Sequence, residues 1–225
     1  MVTPTEDYYS DHDGGMFAPI EATTVATWKA PAFLENLAID AEGAVFVTVY
    51  SHKRVDRYDP ATRQPGRWDV WLQGDRLRSI VPKFPGSNGI KIRQGWAWIS
   101  VSGRRLLVRV PIQPDGSAGA IEIAATRLTA DDFAFGLSGS VYVTTHPEHT
   151  LVRLDPSGAR KTLAGPEQGM VGSTACAFGR APGDEKALYV TTDGGFLIPH
   201  ESGIQNAKLV RMEVGESGWP LLQGV

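Results

Sequence analysis

The sequence predicts an all-β chain folded as a β-propeller of four-stranded antiparallel blades. Three observations carry that expectation. A strand, a tight turn and a returning strand are written four times along the 225 residues. The doublets Phe46-Val47, Trp98-Ile99, Tyr142-Val143 and Tyr189-Val190 in the returning strands recur at spacings of 52, 44 and 47 residues, and a period in the forties with about four strands per unit is the mark of propeller blades. No segment carries the 3.6-residue apolar periodicity of an amphipathic helix. Each unit has two sheet faces and no means of burying both alone, so the units stack around an axis.

Taken in order, residues 1–19 form a polar arm with Asp7, Asp11 and Asp13, and residues 20–225 one propeller domain. The acidic spacing of the arm does not continue into an EF-hand loop, so solvation explains it better than a cation. Ile20 to Trp28 is β-branched enough for a strand, placed to complete the last blade, close the ring and hide two sheet edges. The first repeat runs Glu35–Asp40, a turn at Gly43, Val45–Tyr50, then Arg54–Tyr58 and Trp68–Leu72. The second is Asn88–Arg93, a turn at Gly95, Trp96–Ser100 and Leu106–Val110. The third, Ala130-Asp-Asp-Phe-Ala-Phe135, turns at Gly139 into Val141–Thr145 and continues at Leu151–Asp155. The fourth is Thr174–Phe178, Leu188–Thr192 and Leu209–Glu213.

Composition narrows the function classes. Twenty-two basic and 25 acidic residues are interspersed and leave a formal charge of −3, which speaks against a nucleic-acid groove or a membrane-surface patch. No apolar run approaches the ~20 residues of a bilayer span, and the acidic N-terminus lacks the apolar centre of a signal peptide. The single Cys176 implies no oxidising compartment and sits in an apolar alternation, as a core residue rather than a nucleophile. A soluble cytoplasmic protein acting on a small molecule is expected. There is no G-x-S-x-G elbow, Walker A loop or G-x-G-x-x-G, so neither a serine hydrolase nor a nucleotide site is indicated.

Aligned on their alternation, the repeats begin Glu35-x-Leu-Ala-Ile, Asn88-x-Ile-Lys-Ile, Asp131-x-Phe-Ala-Phe and Thr174-x-Cys-Ala-Phe. The innermost strand of a blade lines the channel, so these leading residues are expected to form a ring of oxygen donors. A single such residue would more simply cap its strand. The same position polar in all four copies favours a hard divalent cation, with water completing its shell. The loops after each second strand share that end of the channel, which brings His52, Arg104, His146 and Asp132 into reach of a substrate. His146-x-x-His149 superficially suggests a metal pair, but with Pro147 inside a loop, substrate contact or solvation is the better reading.

With these residues assembled, the chain resembles the gluconolactonase, regucalcin and luciferin-regenerating-enzyme family. The carrying motifs are Phe33-Leu-Glu-Asn-Leu-Ala-Ile-Asp40, Ser87-Asn-Gly-Ile90, Ala130-Asp-Asp-Phe-Ala-Phe135, Gly172-Ser-Thr-Ala-Cys-Ala-Phe-Gly179 and Leu188-Tyr-Val-Thr-Thr192. The resemblance implies one divalent cation held by Glu35, Asn88 and Asp131, calcium first, with magnesium, manganese or zinc as alternatives. It also implies lactone hydrolysis with Asp131 as general base, and the mouth loops and the ring add Asp132, His52, Arg104, His146 and Thr174 around the substrate. The family has six blades where four are visible here, so the ring is either smaller or open, and an open ring leaves room for a homo-oligomer. The alternative to an enzyme is a ligand-binding or biosynthetic accessory propeller with an incomplete site.

Overall fold

The computed structural model describes residues 24–60, 68–82 and 84–220. They form fifteen strands in four antiparallel sheets, each a meander in chain order. Blade one is β1 (Leu34–Ile39), β2 (Val45–Val49), β3 (Arg54–Tyr58) and β4 (Asp69–Gln73). Blade two is β5 (Ser87–Arg93), β6 (Trp96–Val101), β7 (Leu106–Pro111) and β8 (Glu122–Thr126). Blade three is β9 (Ala130–Phe135), β10 (Val141–Thr145), β11 (Thr150–Leu154) and β12 (Arg160–Ala164). Blade four has three strands, β13 (Ser173–Phe178), β14 (Ala187–Thr192) and β15 (Leu209–Glu213). This is the propeller expected from the repeat.

The blades stack through their apolar faces. One buried cluster with Phe46, Val55, Ile90 and Ile99 joins blades one and two. A second with Leu107, Phe133 and Val143 joins two and three, and a third with Tyr142, Cys176 and Leu188 joins three and four. Each fully buried side chain of this size contributes about 1.5–3 kcal/mol. The inner strands follow suit, β1 beside β5, β5 beside β9 and β9 beside β13, whereas no such packing brings β13 back to β1 among the described residues. Among the described residues the blades therefore form an arc. Its free flanks carry uncovered apolar side chains, Leu37 57% and Ile39 49% exposed on blade one and Leu209 69% on blade four.

The expected closing strand does not form where it is described. Residues 24–28 have no strand, and 20–23, like the arm before them, lie outside the described residues. Trp28 instead stacks on Trp68 at 5.3 Å and donates from Nε1 to Asp56 at 2.6 Å, both on blade one. An indole that finds a stacking partner and an acceptor in its own blade ties its segment there. After β15 the chain also departs from a fourth strand. It runs beside the β9–β10 turn, with the Leu137 N–H donating to the Ser217 carbonyl and the Trp219 N–H to the Phe135 carbonyl, each at 2.8 Å. Glu216 accepts from Tyr142 Oη at 2.7 Å and the Ser138 N–H at 2.9 Å.

One hydroxyl per blade ties the arc together. Thr48 on β2 donates to the carbonyl of Asn88 at 2.7 Å, Ser100 on β6 to that of Asp131 at 2.7 Å, and Thr144 on β10 to that of Thr174 at 2.9 Å. The same oxygens accept from the N–H groups of Asn36, Gly89 and Asp132 on their own inner side. Each such bond contributes about 1 kcal/mol, and each fixes the height of the next inner strand. Thr191, the fourth in the series, reaches no further blade among the described residues and meets Thr174 Oγ1 at 3.0 Å in its own sheet.

Candidate functional site

All four inner strands start on a β-bulge, between Leu34 and Leu37, Ser87 and Ile90, Ala130 and Phe133, and Ser173 and Ala175. A bulge sets two residues against one and re-aims a side chain. The bulged residues are Glu35, Asn88, Asp131 and Thr174, the set aligned from sequence. Gly89 belongs to this device, because a Cβ there would meet the Asp131 carbonyl at 2.8 Å and Asp132 Oδ1 at 2.7 Å, so only glycine lets blades two and three close at this level.

Asn88 and Asp131 come together. The buried Asn88 amide gives one hydrogen to Asp131 Oδ1 and the other to Ser102 Oγ at 3.1 Å. With both amide hydrogens used, its oxygen has no donor among the described residues. Ser102, on the turn after β6, donates in turn to the Ala130 carbonyl at 2.6 Å, so it positions Asn88. The Asp131 carboxyl is pushed up to about 7, first by burial and then by the charges of Glu35, Asp132 and Asp193, against the pull of the Asn88 hydrogen bond. Burial raises Glu35 as well. Among the described residues, the ammonium of Lys91 bonds Asp132 at 2.7 Å and not Asp131. Negative charge is thus concentrated at the site and left uncompensated by a direct ion pair to Asp131, a condition that favours either protonation or a cation.

The remaining sequence-assigned residues divide. Asp132 is buried and held by Lys91, so it presents an ion pair rather than a free carboxylate. Thr174 turns its hydroxyl to the Thr191 carbonyl and hydroxyl, which takes it out of the donor ring as a free ligand. Arg104 donates from Nε to the Arg78 carbonyl at 2.9 Å, tethered to the loop before blade two. His52 meets Ser51 Oγ at 2.9 Å, and the carboxylate that feels its charge is Asp56. His146 is buried, with Nε2 3.6 Å from Asp193 Oδ2. Cys176 is in the core, as expected.

Asp193 is the residue that the alignment of strand starts missed. It supplies from blade four the charge felt by Asp131. A signal existed in the second strands: Val-Thr-Val-Tyr50, Ile-Ser-Val-Ser102, Val-Thr-Thr-His146 and Val-Thr-Thr-Asp193 share one register, so Ser102, His146 and Asp193 are equivalents at the rim. Among the described residues, no three His, Cys, Asp or Glu side chains form a metal-ligating group. An ion here would rest on two carboxylates and the Asn88 amide oxygen, a hard-donor set that fits calcium or magnesium and not a soft metal. No helix is long and apolar enough to cross a membrane among the described residues.

Comparison with known proteins places the fold. No protein-family model matches the sequence, and no curated protein matches it significantly. Among solved structures, a luciferin-regenerating enzyme superposes with a TM-score of 0.63 at 13% identity, over 84% of this chain and 64% of that one. A catalytically inactive histidine variant of virginiamycin B lyase from Staphylococcus aureus, with quinupristin, gives 0.51 at 17% identity over 83% and 57%. A streptogramin B lyase gives 0.52 at 14% identity over 81% and 55%. The chain therefore spans between about half and two thirds of the length of these propellers.

Proposed function

We propose that the protein hydrolyses a lactone or a related ester at the mouth of its channel, with a divalent cation, calcium first, held by Glu35, Asn88 and Asp131. The observation that carries the reading is the Asn88 amide on the Asp131 carboxylate, brought from adjacent blades by two bulges, with Glu35 close enough to act on the same carboxyl. That three neighbours in fold bear the names of enzymes supports a catalytic use of the scaffold, and the family resemblance of the motifs supports the lactone. When bound, the cation would act as a Lewis acid on the carbonyl oxygen. The chain's own part is to aim the ligands. Ser102 holds the Asn88 amide so that its oxygen is free, and the Asn88 N–H keeps one Asp131 oxygen engaged, leaving the other to turn toward the channel.

The family resemblance also implies that Asp131 serves as general base. A carboxyl near 7 suits that duty in the absence of a cation. Ligation would hold the same carboxylate ionised and weaken it as a base, so the two duties compete and the convergent donors favour ligation. Calorimetric titration with Ca²⁺ tests the reading together with a panel of sugar and aliphatic lactones. Saturable binding and chelator-sensitive hydrolysis are expected, both lost in Asp131→Ala. Hydrolysis that persists through chelation and Asp131→Ala refutes it. One observation favours a second reading, a ligand-binding propeller without turnover. The arc is open beside Glu35, and the chain covers only 55–64% of the neighbours' length. Cation or lactone binding without any hydrolysis across the panel would select it.

A further inference from the structure

The channel mouth holds a second chemical group that this reading leaves unused, three imidazoles packed edge to face. His146 and His149 have ring centroids 6.0 Å apart, and His149 and His200 5.4 Å. The hydrogen bonds exclude a shared transition metal. The Gly172 N–H donates to His149 Nδ1 at 2.9 Å, and the Ser202 N–H to His200 Nδ1 at 3.2 Å. A neutral ring whose Nδ1 accepts carries its proton on Nε2, so neither ring has an Nε2 lone pair to give. These two rings are fixed walls.

His146 differs. It is 7% exposed, and its Nε2 is buried without a hydrogen-bond partner, 3.6 Å from Asp193 Oδ2. Its Nδ1 has no partner among the described residues and is not sealed from solvent in the same way. Asp193 is held in place: Oδ1 accepts from the Gly195 N–H at 2.6 Å, and its own N–H donates to the Gly172 carbonyl at 2.8 Å. Gly172 sits at φ +69°, and a Cβ there would collide with the Asp193 carboxylate, so the backbone reserves that space. A buried polar atom left unpaired costs about 1–3 kcal/mol, and such atoms concentrate where function requires them.

We propose that His146, oriented by Asp193, is the general base of the hydrolytic site, taking the proton of the attacking water on Nδ1 while Nε2–H faces the carboxylate. The assignment rests on the hydrolase reading and answers the competition found at Asp131. One carboxylate links the two centres, since the charge of Asp193 acts on both Asp131 and His146. The groups facing His146 are Asp193, Glu148 and the His149 ring. Burial outweighs the pull of the two carboxylates and holds the imidazole below its ordinary value, so it is neutral with a lone pair available. The water oxygen bonds to the carbonyl carbon as its proton moves to Nδ1 and the π pair to the carbonyl oxygen. Collapse of that intermediate breaks the acyl C–O bond, and the leaving oxygen takes the proton back from Nδ1, giving the hydroxy acid.

The test pairs kinetics with a readout independent of turnover. His146→Gln is expected to lower kcat about 100-fold or more, with KM and Ca²⁺ affinity within about two-fold, and free imidazole is expected to restore part of the rate in His146→Gly. A kcat for His146→Gln above half of wild type overturns the proposal. Imidazole ¹⁵N shifts of the wild type near pH 7.5 are expected to show His146 as the Nε2–H tautomer, and Asp193→Asn to mix the tautomers. An Nδ1–H tautomer with hydrolysis intact overturns the proposal while leaving the hydrolase reading standing, because Nδ1 would then have no lone pair for the proton. Absence of hydrolysis across the lactone panel, with the tautomer as expected, overturns the hydrolase reading and the base assignment with it.

Discussion

The turn after β6 and the turn after β10 take the same place in successive blades and carry different chemistry. Each leaves the second strand of its blade, makes one tight turn and ends on a non-glycine residue in the left-handed region, Arg105 at φ 57° and His149 at φ 57°. Lys53 repeats the position in blade one at φ 54°. In blade two the first turn residue, Ser102, is fully satisfied, donating to Ala130 and accepting from Asn88. In blade three its equivalent, His146, is buried with Nε2 unbonded. The scaffold does not need an imidazole at this position, because a serine fills it one blade earlier with every bond made. What distinguishes the two turns is therefore the site and not the fold.

Transplanting the blade-two turn into blade three puts that comparison under the greatest stress. Replacing His146-Pro-Glu-His149 with Ser-Gly-Arg-Arg should leave the β-sheet circular dichroism unchanged and lower lactone turnover by about two orders of magnitude or more. Unchanged turnover would make the turns equivalent after all. A second contrast runs between the hydroxyls one step earlier in the same strands. Thr144→Val strands the Thr174 carbonyl and the Asp132 N–H and should cost about 1–3 kcal/mol in urea unfolding, whereas Thr191→Val, which meets only its own sheet, should cost well under half of that. Equal losses would show that the bond to the next blade contributes nothing of its own.

The smallest effect sharpens the contrast by pH. Burial holds His146 below the ordinary imidazole value against the pull of Asp193 and Glu148, and burial, then the neighbouring His146 and His200 rings, hold His149 below it. The unfolded chain then binds more protons than the folded one below about pH 6.5, so this contribution to stability is complete above that pH and is lost as the pH falls. Asp131 has the opposite sign, since a raised carboxyl stabilises in acid and loses its contribution as the pH rises toward 7. Asp131 is common to wild type and transplant, so the difference between their melting temperatures reports the exchanged turn, His146, Glu148 and His149 together. The wild type should lose more than the transplant between pH 7.5 and 5.5, by a degree or a few.

The inner and middle strands were legible because each repeats a period-two apolar alternation with a turn glycine, and Arg54–Tyr58 and Leu209–Glu213 match the structure to the residue. The outermost strands β8 (Glu-Ile-Ala-Ala-Thr126) and β12 (Arg-Lys-Thr-Leu-Ala164) escaped notice. Each has one sheet neighbour and largely solvated faces, so nothing forces an alternation on it. The site divides in the same way. That Asn88 and Asp131 come together is legible because both stand at the same position of the repeated inner strand. Thr174 was assigned to the ring because repeat position fixes a backbone site and does not say which neighbour a hydroxyl prefers, here Thr191. Asp193 lay outside that alignment because it belongs to the rim, a second register offset along the returning strands. The closing strand was inferred from composition, which cannot anticipate that Trp28 finds an acceptor in Asp56.

The hydroxyl of Thr191 is a coupling left unfastened. Three times along the chain the same group grips the sheet that follows, and at the end it folds back on its own. A graft supplying one more inner strand, with its carbonyl at that height, would find its anchor already in place.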